Sequence, residues 1–146
     1  MLTLAFALEV GHEEFGDERN TPSYKRTDGA GMTTIAYKDG VIAYDSRMTQ
    51  GDLICTDNCD KHRCVDGVHY FFAGPVPDQD ELIACYMDRT RVPQGRPSVS
   101  AFIVDGDKVL EVGLTEETGF WACDAYDNSA MGSGRDFALA AMDLGC

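Results

Sequence analysis

The chain is 146 residues long, carries 25 acidic against 12 basic side chains and has a net charge of −13. That length suits one domain with a real core and leaves no room for a second. The charge argues against nucleic acid as a partner, because a phosphate-binding surface needs a basic stripe to release counterions.

The first eight residues, Met1 to Leu8, are mostly apolar but have no basic n-region and soon meet Glu9, Glu13 and Glu14. A signal peptide is therefore not expected. No run approaches the roughly 18 apolar residues of a spanning helix, so no membrane partner is expected and the reading is of a cytoplasmic protein. Without a secretory signal, the six cysteines read as reduced thiols rather than a disulfide framework. After Val10 the chain is polar and without period as far as Gly31. Residues 1–31 are expected to be a poorly ordered N-terminal extension or pro-segment ahead of a domain over residues 32–146.

From Thr33 the pattern turns strand-like. Asp39-Gly40 is a two-residue hairpin signal, since both central positions of a type I′ turn need positive φ. The register it sets puts Lys38 opposite Val41, Thr34 opposite Asp45 and Thr33 opposite Ser46. Asp45 thus returns beside Thr33, although alternation puts its side chain on the face of Thr34 unless a bulge or twist intervenes. The stretch 48–51 reads as a turn. Residues 52–55 follow, then a turn at 56–58, a strand from Lys61 to Val65, the hairpin pair Asp66-Gly67 and an aromatic-rich strand over 68–73. Pro75 to Asp78 ends this meander. Asp78 is placed to cap a helix running to Met87, with Arg89 and Arg91 near its C-terminal end. Strands are expected over 99–104, 108–115 and 119–123, with Asp105-Gly106 as a turn between the first two. A final helix is expected over 135–144, where Phe137 to Met142 has high intrinsic propensity.

Met32 is a candidate translation start, and Thr33 is small enough to follow a removed methionine. A terminal threonine carries its own base, because the free amine accepts the hydroxyl proton as the oxygen attacks a carbonyl. An α-amino group titrates near pH 8, roughly, so much of it is already deprotonated at neutral pH. His12, His62 and His69 are scattered and suggest no serine or cysteine triad.

Four blocks carry a resemblance: Thr33-Thr34-Ile35-Ala36 with Asp45-Ser46-Arg47; Asp60-Lys61; Phe72-Ala73-Gly74; and Met131-Gly132-Ser133-Gly134-Arg135-Asp136-Phe137-Ala138-Leu139-Ala140. Their order and spacing resemble the proteasome β-subunit and HslV peptidases of the N-terminal nucleophile (Ntn) hydrolases, especially the short phage-encoded members. The resemblance implies an α+β fold, a four-layer αββα sandwich of antiparallel sheets. It also implies a threonine-type peptidase acting on polypeptides without a cofactor. A homo-oligomeric ring working with an ATP-dependent unfoldase is implied as well.

By the same resemblance Thr33 is the nucleophile. Lys61, 28 positions later and 16 after Asp45, lowers the amine pKa and steadies the attacking oxygen, and Asp45 orients Lys61. Gly74 offers its N–H to the oxyanion. Ser133 hydrogen-bonds the terminal amine, a part compatible with capping the last helix. The residue before the catalytic threonine in such precursors is usually glycine, whereas this chain has Met32 with Gly31 before it, which favours Met32 as a start. Relatives carry a further helix and closing strands where this chain stops, so a truncated sheet with an exposed edge is expected.

Two other readings stand beside this one. The first is a non-catalytic proteasome-like subunit acting as a structural or interaction protein. The second is a zinc module on Cys55, Cys59, His62 and Cys64. Its spacing departs from a paired Cys-x2-Cys knuckle, and small buried thiols on strands account for these cysteines better.

Overall fold

The computed structural model describes residues 4–9, 33–50 and 53–145. Asp39 and Gly40 have φ of 50° and 80°, the pair of positive angles a type I′ turn requires. They join β2 (Thr34–Lys38) to β3 (Val41–Asp45) in the expected register, Lys38 opposite Val41 and Ile35 opposite Tyr44. Asp66-Gly67, with φ of 52° and 79°, likewise joins β6 (His62–Val65) to β7 (Val68–Ala73). The next hairpin, β8 (Ser98–Asp105) to β9 (Lys108–Thr115), turns one residue later than expected. Asp105 pairs with Lys108, so Gly106-Asp107 forms the tip. Of that tip only Gly106 has positive φ.

β1 (Leu4–Glu9) runs antiparallel to β3, and β11 (Ser129–Gly132) antiparallel to β2, making a four-stranded sheet in the order β1-β3-β2-β11. β1 comes from the segment expected to be an extension. The expectations for residues 10–31, and for Met32 as a start, lie outside the described residues. The second sheet has the order β10-β9-β8-β7-β6, with β10 spanning Gly119–Asp124. β4 (Met48–Gln50) and β5 (Leu53–Thr56) form a separate two-stranded hairpin, so Met48–Gln50 is strand rather than turn. Three residues are too few for a period to show in sequence.

Alternation along β7 sends neighbouring aromatic rings to opposite faces. Tyr70 and Phe72 stack with rings 5.8 Å apart and join Ile103, Val112 and Leu114 under α1 (Val76–Met87), which contributes Leu82, Ile83 and Cys85. Phe71 and Ala73 face the other way. With Phe102 and Val104 they pack against Ile35, Ile42 and Met131 of the four-stranded sheet. α2 (Arg135–Asp143) lies against β2 and β11 and buries Met142. The described chain is therefore α+β, with antiparallel sheets and two helices.

α1 starts earlier than expected. Pro75 is its N-cap, and a proline stands in its first turn, where a missing N–H costs nothing and the fixed φ suits a helix. Asp78 is consequently not the cap; its carboxylate accepts the Ser98 N–H at 3.1 Å and ties the helix to β8.

Candidate active site

The head of β2 is where Thr33, Asp45, Lys61 and Ser133 come together. Thr33 is buried, with 6% of its surface exposed, and the Thr34 N–H donates to Asp45 Oδ1 at 2.7 Å. The hairpin register makes this contact possible: Ile35 and Tyr44 are the last ladder pair, so Thr34 and Asp45 stand opposite each other where the ladder ends. Asp45 Oδ1 also accepts from Lys61 Nζ at 2.7 Å. Lys61 is only 8% exposed. A buried ammonium is tolerated when paired and hydrogen-bonded, and removing its partner is strongly destabilising.

Lys61 reaches this position because the connector before β6 is stitched down on both sides. Cys59 N–H donates to the Ser46 carbonyl at 2.8 Å, and Ser46 Oγ donates to the Asp57 carbonyl at 2.7 Å. Asp60 Oδ1 accepts from Tyr44 Oη at 3.0 Å and from the His62 N–H at 2.9 Å. The Lys61 carbonyl accepts the Phe72 N–H at 3.0 Å, which seats it beside β7. Burial, and then the Asp60 carboxylate, raise the Tyr44 phenol well above its ordinary range. Burial likewise pushes the Cys59 thiol up, against the pull of nearby Lys61. The resemblance had given Ser46, Tyr44 and Asp60 no role. The blocks Asp45-Ser46-Arg47 and Asp60-Lys61 were the only sequence signal for Ser46 and Asp60, and Tyr44 lay in neither.

The loop after β11 closes over the other side. Ser133 Oγ donates to the Thr33 carbonyl at 3.4 Å. Ser133 does not cap α2, whose N-cap is Gly134. Gly132 has φ of 89°, and a β-carbon there would run into the Thr33 carbonyl; one on Gly134 would run into Thr34 Oγ1. Both glycines are thus needed for the loop to approach Thr33 and Thr34 so closely. The sequence marked the Gly-Ser-Gly block without assigning the glycines this task.

Gly74 follows the last residue of β7, two residues past Phe72, with φ of 132°. A β-carbon there would lie 2.8 Å from the Ser98 carbonyl oxygen and 2.9 Å from the Val99 α-carbon. Its lack of a side chain is therefore already required by packing against β8.

The cysteine cluster does not assemble. Cys55 and Cys64 are exposed rather than buried, and Cys59 is half-buried in the connector. His62 instead stacks on His69, Nε2 to Nδ1 at 2.9 Å. Among the described residues, no group of three or more His, Cys, Asp or Glu side chains is placed to hold a metal ion. No helix among them is long and apolar enough to cross a membrane.

No protein-family model and no curated protein matches the chain. Among solved structures it is similar to Thiobacillus denitrificans BPH in complex with epoxomicin, at 18% identity, over 78% of each chain, with a TM-score of 0.50. At that identity the likeness is one of fold.

Proposed function

We propose that this chain is a threonine-type peptidase of the proteasome β-subunit and HslV class, built on a four-layer αββα sandwich. The observation that carries the reading is the Thr34–Asp45–Lys61 arrangement next to Thr33, in which Lys61 is 8% exposed and held at 2.7 Å by a half-buried Asp45. A lysine buried for stability alone is poor design, because an apolar side chain of similar volume is often at least as stabilising. A fixed positive charge beside a terminal threonine has a chemical use. The fold likeness to a protein solved with epoxomicin supports the same reading.

In the proposed reaction the chain begins at Thr33. Its hydroxyl oxygen attacks a peptide carbonyl while its own amine takes the hydroxyl proton. Lys61 lowers the amine pKa by its charge, and Asp45 keeps Lys61 charged and oriented. The Gly74 N–H stabilises the oxyanion. As the tetrahedral intermediate collapses, the C–N bond breaks, the amine proton passes to the leaving nitrogen and an ester forms on Thr33. Water then adds to the ester, giving up a proton to the amine, and releases the second product as the threonine is regenerated. A homo-oligomeric ring and an ATP-dependent unfoldase partner belong to the same proposal, with polypeptide as substrate.

A second reading, a non-catalytic proteasome-like subunit, is favoured by two observations: Thr33 is 94% covered, and Ser133 bonds its carbonyl rather than an amine. The two separate in a hydrolysis assay with unstructured polypeptide on protein whose first residue has been verified by mass to be Thr33, and on the same protein carrying Thr33→Ala. Hydrolysis that disappears in the variant is the expected result. Equal rates in both, or none in either, leave the non-catalytic reading.

A further inference from the structure

Asp60 and Lys61, the last two residues of the connector before β6, each join the two sheets. The Lys61 ammonium is held by Asp45 of β3 in the four-stranded sheet, and the Lys61 carbonyl by the Phe72 N–H of β7 in the second sheet. Asp60 spans the same gap with a single atom. Its Oδ1 accepts from Tyr44 Oη of β3 at 3.0 Å and from the N–H of His62, the first residue of β6, at 2.9 Å. Two neighbours on β3, Tyr44 and Asp45, thus hold two neighbours on the connector, Asp60 and Lys61.

The Tyr44 hydroxyl is separable from the packing of its ring. That ring lies 5.7 Å from the ring of Phe71, which also carries the His62 ring at 4.9 Å. A phenylalanine would fill the same seat. What the hydroxyl adds is one bond of fixed direction, because an ionised carboxylate only accepts, and burial and the Asp60 charge keep the phenol protonated. The Ser46 and Cys59 bonds secure the connector further upstream, whereas the Tyr44–Asp60 bond adjoins Lys61. Lys61 has a use for such a tie. A lysine stem is long and flexible, and a working group is held to within about 0.5 Å only when the residues supporting it are themselves fixed.

We infer that Tyr44 is a positioning residue for the proposed reaction: its hydroxyl, through Asp60, fixes Lys61 against Asp45 and so keeps the Thr33 amine under the influence of the ammonium. This rests on the peptidase reading and adds a residue that acts through Lys61 without touching the substrate. Asp60 serves as an acceptor of fixed position rather than as a charge, so an asparagine, with the same Oδ1, can take its place. The sign of the effect follows. A nearby ammonium lowers the amine pKa. When Lys61 is loosened that pKa rises toward its ordinary value of about 8. The amine must be unprotonated to take the hydroxyl proton, so the acid limb of kcat/KM moves to higher pH.

Hydrolysis of an unstructured peptide is measured against pH with protein verified by mass to begin at Thr33. In Tyr44→Phe the acid limb is expected to rise by roughly half a unit and kcat at neutral pH to fall about fivefold, with KM unchanged. Asp60→Ala should do the same, Asp60→Asn should restore both, and Tyr44→Phe with Asp60→Ala should be no worse than either alone. On the full chain, the acylation rate of Lys61 relative to the exposed Lys108 is read by mass mapping. It should rise in Tyr44→Phe and in Asp60→Ala and return in Asp60→Asn. Thermal melts establish that each variant is folded. Thr33-dependent hydrolysis with an unmoved acid limb in Tyr44→Phe overturns the positioning role and leaves the peptidase reading intact. Unchanged Lys61 acylation in Tyr44→Phe, or an Asp60→Asn that behaves like Asp60→Ala, also overturns it. No hydrolysis by the unaltered protein overturns the peptidase reading and this role with it.

Discussion

The core beneath α1 and the head of β2 are built on opposite terms. Beneath α1, Tyr70, Phe72, Leu82, Ile103, Val112 and Leu114 are at most 1% exposed and nearly all apolar, so removal from water does the work. At the head of β2, Thr33, Ser46 and Lys61 are also buried, but they are polar or charged. They are held by hydrogen bonds and by glycines at which a β-carbon would collide. The first arrangement makes the domain stable. The second is costly to assemble, and the difference teaches where to look for chemistry, because a buried charge is retained when it has a use that packing alone does not supply.

Four substitutions or conditions break or sharpen that contrast. The largest stability effect belongs to the apolar side: Phe72→Ala leaves a cavity under α1 and is expected to cost about 4 kcal/mol in denaturant unfolding, with Thr33-dependent hydrolysis retained in the folded fraction. Lys61→Met strands Asp45 and is expected to cost about 3 kcal/mol. Unlike Phe72→Ala it should also reduce hydrolysis by about 100-fold, and adding Asp45→Asn should restore stability but not activity. Gly132→Ala forces a β-carbon toward the Thr33 carbonyl at positive φ, for an expected loss of about 2 kcal/mol together with hydrolysis. A melt that is unchanged would show that the loop after β11 does not hold Thr33.

The smallest effect is a pH slope. Burial lowers the His62 pKa, with Asp60 opposing and His69 adding to the shift. A depressed folded value means that His62 contributes stability above its unfolded pKa of about 6.5. That contribution is lost as pH falls through the lower folded value. Unfolding free energy should therefore decline on acidification below about pH 6.5, and His62→Phe should flatten the decline. The Phe72→Ala variant should keep the slope.

Much of the fold was legible because its turns are local. Asp39-Gly40 and Asp66-Gly67 each announce a hairpin and its register, and that register alone brought Asp45 to Thr34. β11 was not legible as a strand: Ser129–Gly132 has no period of its own and is strand because β2, over ninety positions earlier, pairs with it. β4 escaped for the same reason of shortness. Asp105-Gly106 resembles the two Asp-Gly tips, but here glycine takes the first central position and the turn falls one residue later. Lys61 was singled out by resemblance, but its burial was not legible, since that depends on Ser46, Asp57 and Asp60 folding the connector back.

The central claim is that Thr33 becomes the first residue of the working protein, and the most direct test is the intact mass and N-terminal sequence of the protein as isolated from its native source. The account predicts a chain that begins at Thr33, with the amine and hydroxyl of one residue free together. A chain that begins at Met1 and retains residues 1–32 would hold that nitrogen in a peptide bond, remove the proposed base and contradict the account.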